Sequence, residues 1–139
     1  MNRHKIFHAQ IDLLPSILGW IREILVEAGA KLPLIGHVEL ALEEALVNII
    51  HHAYKDKPGD IEIQILSAPS QAITIILKDQ GPPFNPLTVD YTPPDPSLPL
   101  EELQEGGLGV FFMRQYLDNI VYKREASYNV LTLTKNFSH

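Results

Sequence analysis

Three polar side chains in the run EEALVNIIHHAY, Glu44, Asn48 and His52, stand four residues apart. On a helix that step stacks a carboxylate, a carboxamide and an imidazole one turn above another along a single stripe. A carboxylate can take a proton from an alcohol and an amide oxygen can serve a hard cation, so the stripe can hold a proton acceptor and a metal ion side by side. The plainer alternative is a solvated face, because Glu and Asn on the polar side of an amphipathic helix usually meet only water. His51 and His52 are neighbours; on a helix they point about 100 degrees apart and cannot share zinc as an i, i+4 pair does.

Two further groups carry possible chemistry. Asp79, followed by Gly81, offers a carboxylate able to accept a hydrogen bond from an exocyclic amine, beside a glycine that leaves room for a flat ring. Taken alone, Asp79 also suits a turn. Gly106, Gly107, Leu108 and Gly109 open an apolar helical stretch over 110–117, and free N–H groups at a helix start behind glycines can cradle phosphate. Glycine before a helix often serves only as a turn. No GxxxxGK[ST] run exists, so this is not a P-loop, and GGLG lacks the spacing of the dinucleotide fingerprint.

These residues need elements to hold them. Val38, Ala41, Leu42, Ala45, Ile49 and Ala53 recur at helical spacing, which predicts a helix over 37–54. Ile17, Leu18, Ile21, Ile24, Leu25 and Ala28 predict an earlier helix over 15–30, with Pro15 near its start and Gly29 near its end. The tract 31–36, with Pro33 and Gly36, is expected to separate the two. A short strand is expected over 5–12. After a turn at 57–60, Ile61, Ile63 and Ile65 alternate with Glu62 and Gln64, and a second strand over 72–78 follows through a hairpin at 67–70. Stretches 119–123 and 130–135 read as a closing pair. Strands with one wet face imply a two-layer α/β (α+β) sandwich, its mixed, mostly antiparallel sheet covered by helices on one face.

At 139 residues the chain suits a single domain spanning 1–139, with no cysteine for a disulfide or a thiolate site. A net charge of −6 disfavours direct nucleic-acid binding. No apolar run approaches the roughly 20 residues needed to span a bilayer, and the start lacks a secretory h-region, so a cytoplasmic protein without membrane attachment is expected. Seven of the eleven prolines lie between Pro82 and Pro99, interspersed with Asp90, Thr92, Asp95 and Ser97. A long stretch without helix or strand period is either a passive insertion or a lid, and its flanks, Asp79-Gln80-Gly81 and the glycine run, favour a lid over about 85–106.

The order EEALVNIIHHAY, DQGPPF, then a long loop ending in GGLGVFFMRQYLD resembles the three ATP-site boxes of the GHKL (Bergerat-fold) ATPase superfamily. Within it the likeness is to the small bacterial anti-sigma-factor serine/threonine kinases of the partner-switching type, and it covers nearly the whole chain. The resemblance implies ATP or ADP with Mg²⁺ as ligands. It implies Glu44 as the base that deprotonates a serine on a partner, Asn48 as the Mg²⁺ ligand bridging phosphates, Asp79 as the reader of the adenine amino group and Gly81 packed near the base. Gly107, Leu108 and Gly109 would wrap the phosphates, and His52 would support the site. It further implies phosphorylation of an anti-anti-sigma (STAS-type) partner, sequestration of a sigma factor, and a possible homodimer.

The lid departs from the pattern in being proline-rich and acidic, with Glu101, Glu102 and Glu105 before the glycines. Many relatives carry a glycine and a threonine near adenine on the last strand. Here the strand reads SYNVLTLT, which leaves open whether Asn129, Thr132 or neither takes that place. A non-catalytic module that uses nucleotide to control a partner is the alternative function. A catalytic domain cut from a histidine kinase is a weaker third reading, since no phosphoacceptor-histidine dimerisation helices are present.

Overall fold

Alternation builds the sheet. Along β2 (Asp60–Ala68), Ile61, Ile63 and Ile65 are buried while Glu62 and Gln64 are half-exposed, and along β3 (Ala72–Asp79) Ile73, Ile75 and Leu77 are buried in the same rhythm. β-branched residues at every second position favour the pleat and give it one apolar face. The computed structural model describes residues 1–54, 57–88 and 113–137. Its remaining elements are β1 (Asn2–His8), α1 (Leu14–Glu27), α2 (Leu32–Ala53), β4 (Asn119–Glu125) and β5 (Tyr128–Asn136). The five strands form one sheet in the order β1-β2-β3-β5-β4, and every pairing is antiparallel.

Both helices cover the apolar face. Ile17, Ile21, Ile24 and Leu25 from α1, and Ile35, Val38, Ala41, Leu42, Ala45 and Leu46 from α2, join the isoleucines of β2 and β3 and Leu131 and Leu133 of β5 in one core. The two-layer sandwich is thus as the sequence implies, with the sheet more uniform than a mixed one. Because β4 takes the outer edge, β5 lies beside β3, which puts the end of β3 next to the start of β5.

Boundaries shift for physical reasons. α2 starts at Leu32, not at 37: Pro33 falls in its first turn, where the missing N–H is not needed. Gly36 lies inside the helix, and a Cβ there would meet nothing within 4 Å. Burial of Ile35 and Val38 offsets its modest propensity cost. α1 ends at Glu27, and Gly29 at φ +94 reverses the chain, with Ala30 N–H donating to Leu25 O at 3.0 Å. β1 runs over Asn2–His8 rather than 5–12 because pairing with β2 continues to Asn2 opposite Leu66, while Ile11–Leu13 form a 3-10 turn. Residues 113–116 are helical, inside the stretch expected at 110–117. Of the loop expected at about 85–106, Pro86–Thr88 form a 3-10 turn, and its residues from 89 onward lie outside the described residues.

Leu42→Ala, at a fully buried position in α2, is expected to cost about 2–5 kcal/mol of stability in denaturant unfolding. Ile6→Ala, 56% exposed on the edge strand β1, should stay within about 1 kcal/mol of the parent.

Candidate functional site

Four residues per step along α2 carries the polar stripe toward the helix C-terminus, about 6 Å for each step. That end lies against the end of β3. Asn48, His52, Ala45, Ile49 and Ala53 from α2 line a cavity together with Asp79 from β3, Phe84 and Pro86 beyond it, Tyr122 from β4, and Asn129 and Leu131 from β5. Glu44 is half-buried one turn back along the stripe, outside the lining. Three of the residues singled out from sequence, Asn48, His52 and Asp79, therefore meet at one hollow.

The approach of helix to strand depends on Gly81. A Cβ at this position would come within 2.5 Å of Ala53 Cα and Cβ, so only glycine lets the chain leaving β3 pass the end of α2. The room it leaves is occupied by the helix, where the sequence suggested room for a ring. Next to it Tyr54 binds both strands: its hydroxyl donates to Asp60 O at 2.8 Å and accepts from Gln80 N–H at 2.8 Å. Its ring lies where a Cβ on Gly59 would come within 2.4 Å.

Asp79, only 4% exposed, is opposite Asn129 on β5, which in turn is opposite Arg124 on β4. Asp79 Oδ1 accepts from Gly81 N–H and from Asn129 Nδ2, both at 2.9 Å. Arg124 Nη1 donates to Gly81 O at 2.8 Å, adding a second clamp on the turn. Thr132, half-exposed and three residues from Asn129 along β5, falls on the opposite side of the pleat and is absent from the lining. Sequence reasoning placed Tyr54 in the first box without its tie to both strands, missed Phe84, Tyr122 and Arg124, and left Asn129 open. Only the strand register, with β5 between β3 and β4, brings the last three of these together.

His52 stacks on Phe84, ring centroids 4.4 Å apart at 19°. The cavity beneath encloses about 20 Å³ of free space. That is room for about one water and too little for a purine without rearrangement of the lining. Its walls suit such a ring: Ile49 and Leu131 supply apolar surface, and the Asp79 carboxylate supplies an acceptor. The far end of the loop is also tied down. Met113 is fully buried, Tyr116 stacks on His37 of α2 at 4.2 Å, and Arg114 Nη2 donates to Leu87 O at 3.3 Å. Gly107, Leu108 and Gly109 lie outside the described residues. Among the described residues no three His, Cys, Asp or Glu side chains group to hold a metal. The Asn48 side-chain oxygen is of the kind a hard cation takes.

The model of the family described as histidine kinase-like ATPase domain matches residues 7–135. Serine-protein kinase RsbW of Bacillus cereus (strain AH187) is 33% identical over 99 residues, which cover 70% of this chain and 61% of that protein. The Bacillus anthracis protein of the same name gives the same figures. The match thus spans less than two thirds of these relatives' length. Among solved structures, a Mycobacterium tuberculosis chain with RsbU and RsbW domains superposes with a TM-score of 0.67 at 18% identity, covering 97% of this chain and 32% of that one. The histidine kinase domain of a blue-light activated histidine kinase from Erythrobacter litoralis gives a TM-score of 0.56 at 19% identity, covering 90% of this chain and 61% of that one. Both share the fold.

Gly81→Ala is expected to destabilise by about 1–3 kcal/mol, read by denaturant unfolding, because the added methyl meets helix backbone that cannot yield cheaply. The Tyr54 phenol is held above its ordinary value chiefly by burial; the Gln80 N–H pulls it down and the Asp79 and Asp60 charges push it up. Its unfolded form therefore ionises first as pH rises. Stability from this group, complete below about pH 10, is lost as pH climbs through the folded value. Unfolding midpoints between about pH 9 and 11 should fall less steeply in Tyr54→Phe than in the parent.

Proposed function

We propose that this chain, which belongs to the family of histidine kinase-like ATPase domains, binds ATP with Mg²⁺ and transfers the γ-phosphoryl group to a serine of a protein partner. The observation that carries the reading is the convergence of Asn48 and His52 from α2 with Asp79 from β3 on one cavity, with Glu44 a turn further along the same stripe. The whole of 1–139 acts as one domain in this reading, with the stretch 85–106 as lid over the phosphates and Gly107, Leu108 and Gly109 at its hinge.

The roles follow from the order of groups along α2. Adenine enters between Ile49 and Leu131 once Phe84 has left His52, and Asp79 accepts a hydrogen bond from its 6-amino group. The phosphates then run back along the stripe toward Asn48. Asn48 would offer its side-chain oxygen to Mg²⁺, which would supply positive charge against the phosphates. Glu44 takes the proton from the serine hydroxyl; the serine oxygen bonds to the γ-phosphorus as the bond to the bridging oxygen breaks, and ADP leaves. His52 forms the wall of the base pocket and performs no proton transfer.

We further propose an anti-anti-sigma protein of the STAS type as the phosphorylated partner and a sigma factor as the sequestered one, in the cytoplasm, with the chain acting as a homodimer. The small volume of the cavity, about 20 Å³, favours keeping one rival, a module in which nucleotide entry only changes partner affinity. Labelled ATP with candidate partners separates the two, since binding without transferred label supports the rival. Glu44→Ala should retain ATP affinity while losing phosphate transfer by about 10²–10⁴-fold; transfer at the parent's rate would remove Glu44 as base. Asp79→Asn should weaken ATP binding about tenfold or more in calorimetry with Mg²⁺, and an unchanged affinity would remove the adenine contact.

A further inference from the structure

A carboxamide has two N–H donors and an oxygen with two lone pairs. In Asn129, 6% exposed at the start of β5, all four are used by the protein itself. Nδ2 donates to Asp79 Oδ1 at 2.9 Å and to Pro82 O at 3.0 Å, with Gly81 O at a longer 3.5 Å. Oδ1 accepts from Phe84 N–H at 3.2 Å and from the Tyr122 hydroxyl. Nothing remains for a ligand. The carboxylate opposite shows the reverse pattern: both of its donors, Gly81 N–H and Asn129 Nδ2, go to Oδ1. Oδ2 accepts from no described residue.

We propose that Asn129 is a positioning residue for base recognition, which touches no part of the nucleotide and holds Asp79 by Oδ1 so that Oδ2 alone is presented to a 6-amino group. The same amide ties the root of the loop, at Pro82 and Phe84, to the carboxylate. The inference rests on the ATP-binding reading above and adds how the carboxylate is aimed. An amide is suited to this where a hydroxyl is not: one O–H can hold the carboxylate or the Pro82 carbonyl, not both. The orientation of the amide is fixed as well. Turned over, it would set its oxygen against the Asp79 carboxylate and its N–H groups against the Phe84 N–H.

The test compares affinities of the full chain for ATP and for the triphosphate of unsubstituted purine riboside, which lacks the 6-amino group. Asn129→Asp keeps an oxygen for Phe84 and Tyr122 but replaces a donor with a second carboxylate oxygen facing Asp79, so the pair must share a proton or part. The parent should prefer ATP by about tenfold or more. In Asn129→Asp that preference should fall below about threefold while affinity for the purine analogue stays within about threefold of the parent. Asn129→Ala, checked for folding by circular dichroism, should move the same way. A residue serving only stability would weaken both nucleotides alike. Variants that retain the parent's preference overturn the inference and leave ATP binding standing. A parent that binds the two triphosphates equally overturns the Asp79 contact itself, and this inference with it.

Discussion

The close passage of Gly81 across the end of α2 is the constraint on which the site depends. Without a side chain at that point, the chain leaving β3 can run within contact of Ala53, and Asp79, two residues earlier, comes to rest opposite Asn48 and His52. Any side chain there would force helix and strand to shift against each other. The core sets the helix direction, through Ile35, Val38, Leu42 and Leu46 against the isoleucines of β2 and β3, but it is this one contact that fixes how far the polar stripe lies from the carboxylate.

Around it the chain uses polar groups as ties. Tyr54 joins the start of β2 to the residue after β3, Asn129 joins β5 to the turn after β3, and Arg124 reaches the same turn from β4. Each tie is between a side chain and backbone or a carboxylate, and the buried one, Asn129 to Asp79, is the kind that costs most when one partner is removed. The aromatic pair of His52 and Phe84 differs in kind. It is a stacking contact between two rings that both line the cavity.

Much of the fold was legible because its periodicities are clean. Ile61, Ile63 and Ile65 cannot alternate in that way and be anything but a half-buried strand, and the apolar positions of α2 repeat over five turns. The stripe of Glu44, Asn48 and His52 was equally plain, since local spacing alone defines it. What local spacing could not reveal is strand order. Asn129, Tyr122 and Arg124 reach the site because β5 inserts between β3 and β4, a fact of long-range pairing with no mark in the neighbouring residues. The early start of α2 was missed for another reason: Pro33 reads as a break but suits a helix's first turn, and burial of Ile35 and Val38 outweighs the cost of Gly36.

The two feet of the segment 89–112 are anchored independently of what lies between them. Phe84 is fastened to Asn129, Leu87 O meets Arg114, Met113 is sunk in the core and Tyr116 leans on His37. Both ends of the span are thus held by contacts that the described residues make among themselves. A substitution between the two feet that leaves these contacts intact should therefore show first in nucleotide handling, through the roles proposed for Gly107, Leu108 and Gly109, before it shows in the fold.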